Sequence, residues 1–448
     1  MPTTTLQRTT FTTSREMDFV NEKELTAQTG HAPDDWPIVI GKELVDNALD
    51  ACEEAGMPPE INVKVTPHSI TVSDNGPGIG ADTVTRLLDF SVRVSSREAY
   101  VAPDRGKQGN ALKTVIMMPF VLDGNAGHVE IAAHGVRHII DIGVDAIRQR
   151  PVVRCREEES SVRIGTAVKV SWPDSACSIL DEARARFLQV VAADYTFMNP
   201  HLTLSVNWMG EQTSVMAVDP AWRKWRPSDP TSCHWYRPED MKRLVGAYVA
   251  DDQDHGRDRT VREFIAEFRG LTGTAKQRMV LEATGLARTN LSALVNGNGL
   301  HNGKVEALLA AMREQTKPVK PNHLGVIGRD NLMARFASVG CTMHSFEYRK
   351  VAAEDETGLP FVLETAFGWL GDEAPPQRRM VLGVNWSPGI VNPFRQLGSL
   401  GVSLDSILEQ QRVGQDEPVT FLMHCAAPRV EYTDRGKSAV VVHGGTDQ

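Results

Sequence analysis

The sequence predicts an α+β chain of three units in series: a first domain of strands and helices, a small helical module, and a second domain of strands and helices. Three observations carry that reading. "EINVKVTPHSITVSDNGPGIG" (residues 60–80) alternates apolar and polar residues with the period of half-buried strands and closes in a glycine-rich turn. Between residues 260 and 315 the pattern changes to short helical runs, "VREFIAEFRGL", "AKQRMVLEATGL", "TNLSALVNG" and "KVEALLAAMREQ", ended by the breakers "KPVKPN". Alternation returns in "PFVLETAFGWLG", "RRMVLGVNWSP" and "PVTFLMHCAAPRVEYT". The boundaries follow as a polar arm over 1–20, a first domain over 21–230, the helical module over 255–320 and the last domain over 321–448.

The elements justify themselves in order. Residues 1–20 are Thr-rich and polar, with too few apolar side chains for a core element. "GKELVDNALDACEEAG" (41–56) has helical periodicity. "DTVTRLLDFSV" is helical, and "SSREAYVAPDRGKQGNALK" (95–113) is a long polar loop entering a helix at about Ala111. "HVEIAAHGVRHIIDIGV", "PVVRCREE" and "GTAVKVSW" alternate as strands of an antiparallel sheet. A helix around "LDEARARFLQVVAADYTFM" and a strand "HLTLSVNW" complete the first domain. The Pro- and Trp-rich stretch "DPAWRKWRPSDPTSCHWYRPED" reads as a link, and "ADDQDHG" (250–256) as a solvated acidic loop.

Composition excludes several classes. The chain has 448 residues, 41% hydrophobic and 23% charged, as a globular protein does. No apolar run reaches the length of a membrane span, and the N-terminus lacks a secretory core, so a cytoplasmic protein without membrane contact is expected. The six cysteines are scattered with no CxxC, which fits reduced thiols and argues against a zinc site. The net charge of −9 is uneven. Residues 255–320 hold eleven Lys or Arg against six acids, a balance of +5, leaving −14 for the remainder. That asymmetry points to one polyanion-facing module.

Chemistry concentrates in the first domain. Glu43, Asn47 and Asp50 share one stripe of the 41–56 helix, placing a carboxylate, an amide and a second carboxylate where a hard cation and a water could be held. On that helix alone, a solvated acidic face explains them as well. "DNGPGIG" follows a strand. Its Gly76, Gly78 and Gly80 permit close backbone approach, and Asp74 can accept from an exocyclic amine. In "DRGKQGNALK", Gly106, Lys107, Gln108, Gly109 and Asn110 run directly into the helix start at Ala111, a natural phosphate cradle. "GTAVKV" sets Thr166 at the head of a strand.

In this order, the four motifs resemble the GHKL ATPase superfamily, with "ELVDNALDA" very similar to its first box. The resemblance implies a GHKL α/β sandwich that binds ATP and Mg2+. Glu43 would be the general base, Asn47 the Mg2+ ligand and Asp50 part of the ATP site. Asp74, with Gly76 and Gly78, would read adenine. Gly106 to Ala111 would wrap the triphosphate, with Thr166 near the base. Further on, "VREFIAEFRGLTGTAKQRMVLEATGL", "HLGVIGRDNLMARF" and "FLMHCAAPRVEYTDRGKSAVVV" resemble the helix-two-turns-helix insert and the transducer of type IIB topoisomerase B subunits. The +5 balance of residues 255–320 makes Lys276, Arg278 and Arg288 candidate contacts to duplex DNA phosphates, and the likeness implies Lys437 as a lysine reaching the γ-phosphate. It also implies an ATP-dependent homodimer, joined through the N-terminal arm, and a separate A-type cleavage subunit. Two features depart from the family pattern. "GKQGNALK" replaces a more apolar Gly-Ile-Gly continuation, and the chain ends shortly after Lys437, where the family's transducer continues into a helix that grips the A subunit. A DNA clamp or partner-recruiting ATPase without strand passage is the alternative reading.

Overall fold

The computed structural model describes residues 15–90, 99–105, 111–145, 147–148, 150–226, 228–296, 299–395, 402–433 and 439–441. The chain opens with a 3-10 turn (Arg15–Phe19) and helices α1 (Glu22–Thr29) and α2 (Trp36–Glu54). Phe19, from the expected arm, is buried edge-on against Phe90 at 5.3 Å between ring centres. Residues 1–14 of that arm lie outside the described residues.

There follow β1 (Glu60–Thr66), β2 (Ser69–Ser73), α3 (Ala81–Leu87), α4 (Ala111–Asp123), β3 (Gly127–Ala133), β4 (Val136–Asp145), β5 (Arg150–Glu159) and β6 (Thr166–Ser171). Helix α5 (Cys177–Phe187) runs through a π-helical stretch (Leu188–Asp194) into α6 (Tyr195–Met198), then β7 (Thr203–Trp208) and β8 (Glu211–Val215). The eight strands form one sheet in the order β5-β4-β3-β6-β2-β1-β7-β8. β1 buries Ile61, Val63 and Val65 and exposes the residues between them, the alternation of a sheet with one packed face. Helices α2, α4 and α5 share that core. The expected antiparallel pairing of β3, β4, β5 and β6 is present, while β1 and β7 pair in parallel, Ile61 beside Leu204. The long excursion through β2–β6 and α5 returns the chain in the same direction, which a hairpin cannot do.

The helical unit comprises α7 (Pro238–Asp254), α8 (Val261–Ala266), α9 (Thr274–Thr284), a two-strand ribbon of β9 (Val295–Asn296) and β10 (Gly299–Leu300), and α10 (Asn302–Glu314). Three expectations change. "TNLSALVNG" forms a 3-10 turn at Leu291–Leu294 and then β9, in place of a helix. "ADDQDHG" is the last turn of α7 and not a solvated loop: Asp252 is buried, and Arg259 donates to both of its oxygens at 2.7–3.0 Å. The Trp-rich link is core, with Trp225 and Trp235 buried 4.8 Å apart in the cluster that holds α7–α10.

The last unit comprises α11 (Arg329–Ser338), β11 (Glu347–Glu354), β12 (Pro360–Trp369), β13 (Arg379–Val384), β14 (Ser387–Pro388), α12 (Leu404–Gln410) and β15 (Val419–Ala426). Its sheet runs β11-β12-β15-β13-β14. The expected α+β architecture, with its second strand-and-helix domain, is therefore present. Arg379 donates to Asp194 at 2.7 Å, joining β13 to the end of the π-helical stretch.

Burial pushes the Asp194 carboxyl up to about 6, against the opposing pull of Arg379. A carboxyl raised on folding favours the folded state at low pH and loses that advantage as pH climbs through its folded value. Asp194→Asn should therefore gain stability relative to the parent between pH 5 and pH 7.5, read as the difference in Tm at the two values. A Tm difference independent of pH would contradict the assignment.

Candidate active site

Helix α2 carries two polar stripes. The outer one holds Glu43, partly exposed, and Asn47, exposed; neither side chain makes a hydrogen bond or ion pair among the described residues. Four residues beyond Asn47, Ala51 meets the Asp74–Gly76 turn: a Cβ at Gly76 would lie 3.6 Å from Ala51 Cβ and 2.9 Å from Asp74 Oδ1. The turn thus closes against the same face of α2 that presents Glu43 and Asn47.

Asp74 is fixed by backbone. Its Oδ1 accepts from the N–H of Gly76 at 2.8 Å and of Thr166 at 3.2 Å, while its own N–H donates to the Thr166 carbonyl at 3.0 Å. Oδ2 has no hydrogen-bond partner among the described residues, so it remains free to accept from a ligand. Burial raises this carboxyl, and the two N–H groups oppose the shift. The ties require Gly165, which has φ +74° and a backbone so close that a Cβ there would sit 1.8 Å from the Asp74 carbonyl oxygen. Gly78, at φ +87°, is similarly confined by His134. The Cys52 thiol, donating to Asn75 at 3.3 Å, is pushed up to about 12 by burial and by Asp74, so it stays protonated.

The inner stripe is Asp46, Asp50 and Glu53, all buried. Here Asp50 departs from its expected place in the ligand stripe. It sits about 60° round the helix from Asn47, enough to aim it inward, where Arg105 Nη1 donates to it at 2.8 Å. Arg105 also grips Glu53 with both terminal nitrogens at 2.7 Å and Asn199 at 2.5 Å. Lys224 pairs with Glu53 at 2.8 Å, and Lys42 with Asp46 at 2.8 Å. Three cations thus face three carboxylates. Burial would raise Glu53, but Arg105 and Lys224 outweigh it and hold the carboxyl well below its usual range. Burial would weaken the Arg105 charge, but Glu53, Asp50 and Asp46 more than restore it. His201, 3.0 Å from Glu53, is lowered by burial.

Sequence reasoning passed over this cluster, because Arg105 lies in a stretch that reads as polar loop. The available signal was the i, i+4, i+7 spacing of Asp46, Asp50 and Glu53. Of the other candidates, Gly106, Lys107, Gln108, Gly109, Asn110 and Lys437 lie outside the described residues, and Ala111 is described only as the first residue of α4. Lys276, Arg278 and Arg288 are exposed on α9 and the turn after it, and Arg278 pairs with Glu282 at 3.5 Å. Among the described residues, no group of three or more His, Cys, Asp or Glu is placed to hold a metal ion, and the cysteines are free. The oxygens of Glu43 and Asn47 are hard donors of the kind Mg2+ takes beside phosphate, so this face fits that ion.

Arg105→Ala would leave Asp50 and Glu53 buried without their main cation. Losses on breaking such a pair are on the order of 3–5 kcal/mol. Chemical denaturation should show that drop; a variant within ~1 kcal/mol of the parent, the ordinary scale of point substitutions, would refute the cluster's structural weight.

No family model matches the chain. The B subunit of type 2 DNA topoisomerase 6 from Thermococcus kodakarensis is 26% identical over 298 residues, 62% of this chain and 49% of that protein. Its counterpart from Archaeoglobus fulgidus is 38% identical over 96 residues, 20% of this chain and 16% of that protein. Among solved structures, the ATPase region of Saccharomyces cerevisiae topoisomerase II aligns over 90% of this chain and 76% of its own at 10% identity and a TM-score of 0.39. At that score the fold rests on the strand order described above. No helix among the described residues is long and apolar enough to cross a membrane. The chain spans about half the length of the longer-matching curated relatives, and over 62% of its own length it is similar to a B subunit of type 2 DNA topoisomerase 6.

Proposed function

We propose that the chain binds and hydrolyses ATP with Mg2+ as the B-type subunit of a type IIB DNA topoisomerase, a nucleotide-gated homodimer clamp acting on duplex DNA with a separate A-type cleavage subunit. One observation carries the reading. On one face of α2 a partly exposed carboxylate and an exposed amide make no hydrogen bond among the described residues, beside an aspartate whose Oδ1 is held by two backbone N–H groups and whose Oδ2 has no partner among the described residues. Unpaired groups gathered in this way support a ligand site. The similarity to topoisomerase 6 B subunits supports the choice of ligand.

In this reading Glu43 accepts the proton of the water that attacks the γ-phosphate. Asn47 holds Mg2+, which when bound neutralises phosphate charge. Asp74 Oδ2 accepts from the adenine amine, with Gly76 and Gly78 allowing the base to approach and Thr166 beside it. Gly106 to Ala111 meet the phosphates at the N-terminus of α4, and Lys437 reaches the γ-phosphate from the last unit. Lys276, Arg278 and Arg288 contact DNA phosphates.

Glu43→Ala should lower ATP turnover by ~10²–10⁴ while a fluorescent ATP analogue still binds. Unchanged turnover would remove Glu43 from this role. Charge reversal of Lys276, Arg278 and Arg288 should weaken duplex binding uniformly across sequences. It should also flatten its salt dependence by about 0.9 in log–log slope for each phosphate no longer neutralised; a salt-independent affinity in the parent protein would overturn the DNA assignment. Relaxation of supercoiled DNA with a co-purified cleavage subunit tests the complete activity.

A further inference from the structure

The segment Ala99–Arg105 belongs to no helix or strand, yet it is buried for most of its length and tied at both ends. At its start, the Tyr100 hydroxyl donates to Glu267 at 2.8 Å and meets the Tyr248 hydroxyl, which also reaches Glu267. Tyr248 lies under the Arg259 guanidinium at 4.1 Å. Val101 enters the core of the helical unit; its N–H donates to the Tyr236 hydroxyl at 3.0 Å and its carbonyl accepts from Thr231 at 2.8 Å. The Arg269 N–H donates to the Thr231 carbonyl at 2.8 Å. At the other end, Arg105 is locked onto Asp50 and Glu53 of α2. Six residue steps, at most ~20 Å of chain, therefore join the helical unit to the helix that bears Glu43 and Asn47.

We propose that this strap is a positioning element: duplex nucleic acid seated on the helical unit shifts the Glu267–Arg269 corner, and the strap carries that shift through Arg105 to α2, changing ATP turnover. The proposal rests on the ATPase reading above. Two physical features support it. The corner combines an exposed Arg269, suited to phosphate, with the two links to the strap, Glu267 to Tyr100 and Arg269 through Thr231 to Val101. And α2 is a single helix of 19 residues, so a displacement at Asp50 and Glu53 is delivered to Asn47 and Glu43 within about two to three turns. Among the described residues, the side chain of Tyr100 bonds Tyr248 and Glu267, and that of Glu267 bonds Tyr100, Tyr248 and Arg259, none of them on the Glu43 face or among Lys276, Arg278 and Arg288.

The test combines steady-state ATP hydrolysis with hydrogen–deuterium exchange of α2 peptides, each with and without a short duplex DNA. In the parent protein, DNA should change turnover at least about fivefold, the lower end of ordinary coupling between sites, and should alter exchange in α2. Tyr100→Phe and Glu267→Gln should each keep the DNA-free turnover, the Tm and the DNA affinity, yet lose most of the DNA response. The double variant should lose no more than either single one, since both lie on one path. A full DNA response in both single variants overturns the strap's role, as does α2 exchange indifferent to bound DNA. If the parent protein hydrolyses no ATP, the proposed function falls, and the exchange measurement decides the strap by itself.

Discussion

Arg105 is the constraint around which the molecule is assembled. Its guanidinium is almost wholly buried among Asp50, Glu53 and Asn199, with Asp46 at 4.0 Å. Removing several charges from water is costly, and such a cluster persists where bidentate geometry and close opposite charges repay desolvation. Both conditions hold here, with Lys224 and Lys42 completing the balance. What the cluster contributes is therefore registry. It brings together α2, the strap before residue 106, the start of the segment linking the first unit to the helical one, and, through Asn199 and Trp386, the last sheet.

The same helix then has polar groups to spare. Asp46, Asp50 and Glu53 are matched by cations on the inward side, while Glu43 and Asn47, a small rotation away, have no hydrogen-bond or ion-pair partner among the described residues. A site built on an element whose position is fixed elsewhere can keep its reactive groups open without losing their placement. Asp74 follows the same logic: backbone N–H groups fix one oxygen, and the other is left available.

The legible part of the fold was local. Alternation in β1 and helical period in α2 and α9 follow from neighbours in sequence, and the elements form where those patterns lie. What the sequence did not disclose was long-range. The parallel pairing of β1 with β7 depends on residues more than a hundred positions apart. The acidic run at 250–256 looks solvated until Arg259 folds back onto Asp252. Tryptophans in a Pro-rich stretch look like linker until the helical core closes over Trp225 and Trp235. In the site, Glu43, Asn47 and Asp74 were recognisable as residue types at a spacing. The inward turn of Asp50 was not, because its partner lies 55 residues further along the chain.

The join between the first and last units is also over-determined. Asn385 and Trp386 both have positive φ, 50° and 63°, in the two-residue turn between β13 and β14. Such a turn requires that conformation, and a tryptophan there is strained unless its surroundings impose it. They do. Trp386 is fully buried, its backbone N–H donates to His424 Nε2 at 3.1 Å, and its carbonyl accepts from Asn199 at 2.9 Å. The next residue, Ser387, bonds Lys42 at 2.7 Å and Asp46 at 2.7 Å. Lys42 directly precedes Glu43. The last unit is therefore tied to α2 at Lys42 and Asp46, on either side of Glu43, and a rotation that keeps the Ser387 contacts must move α2 with it.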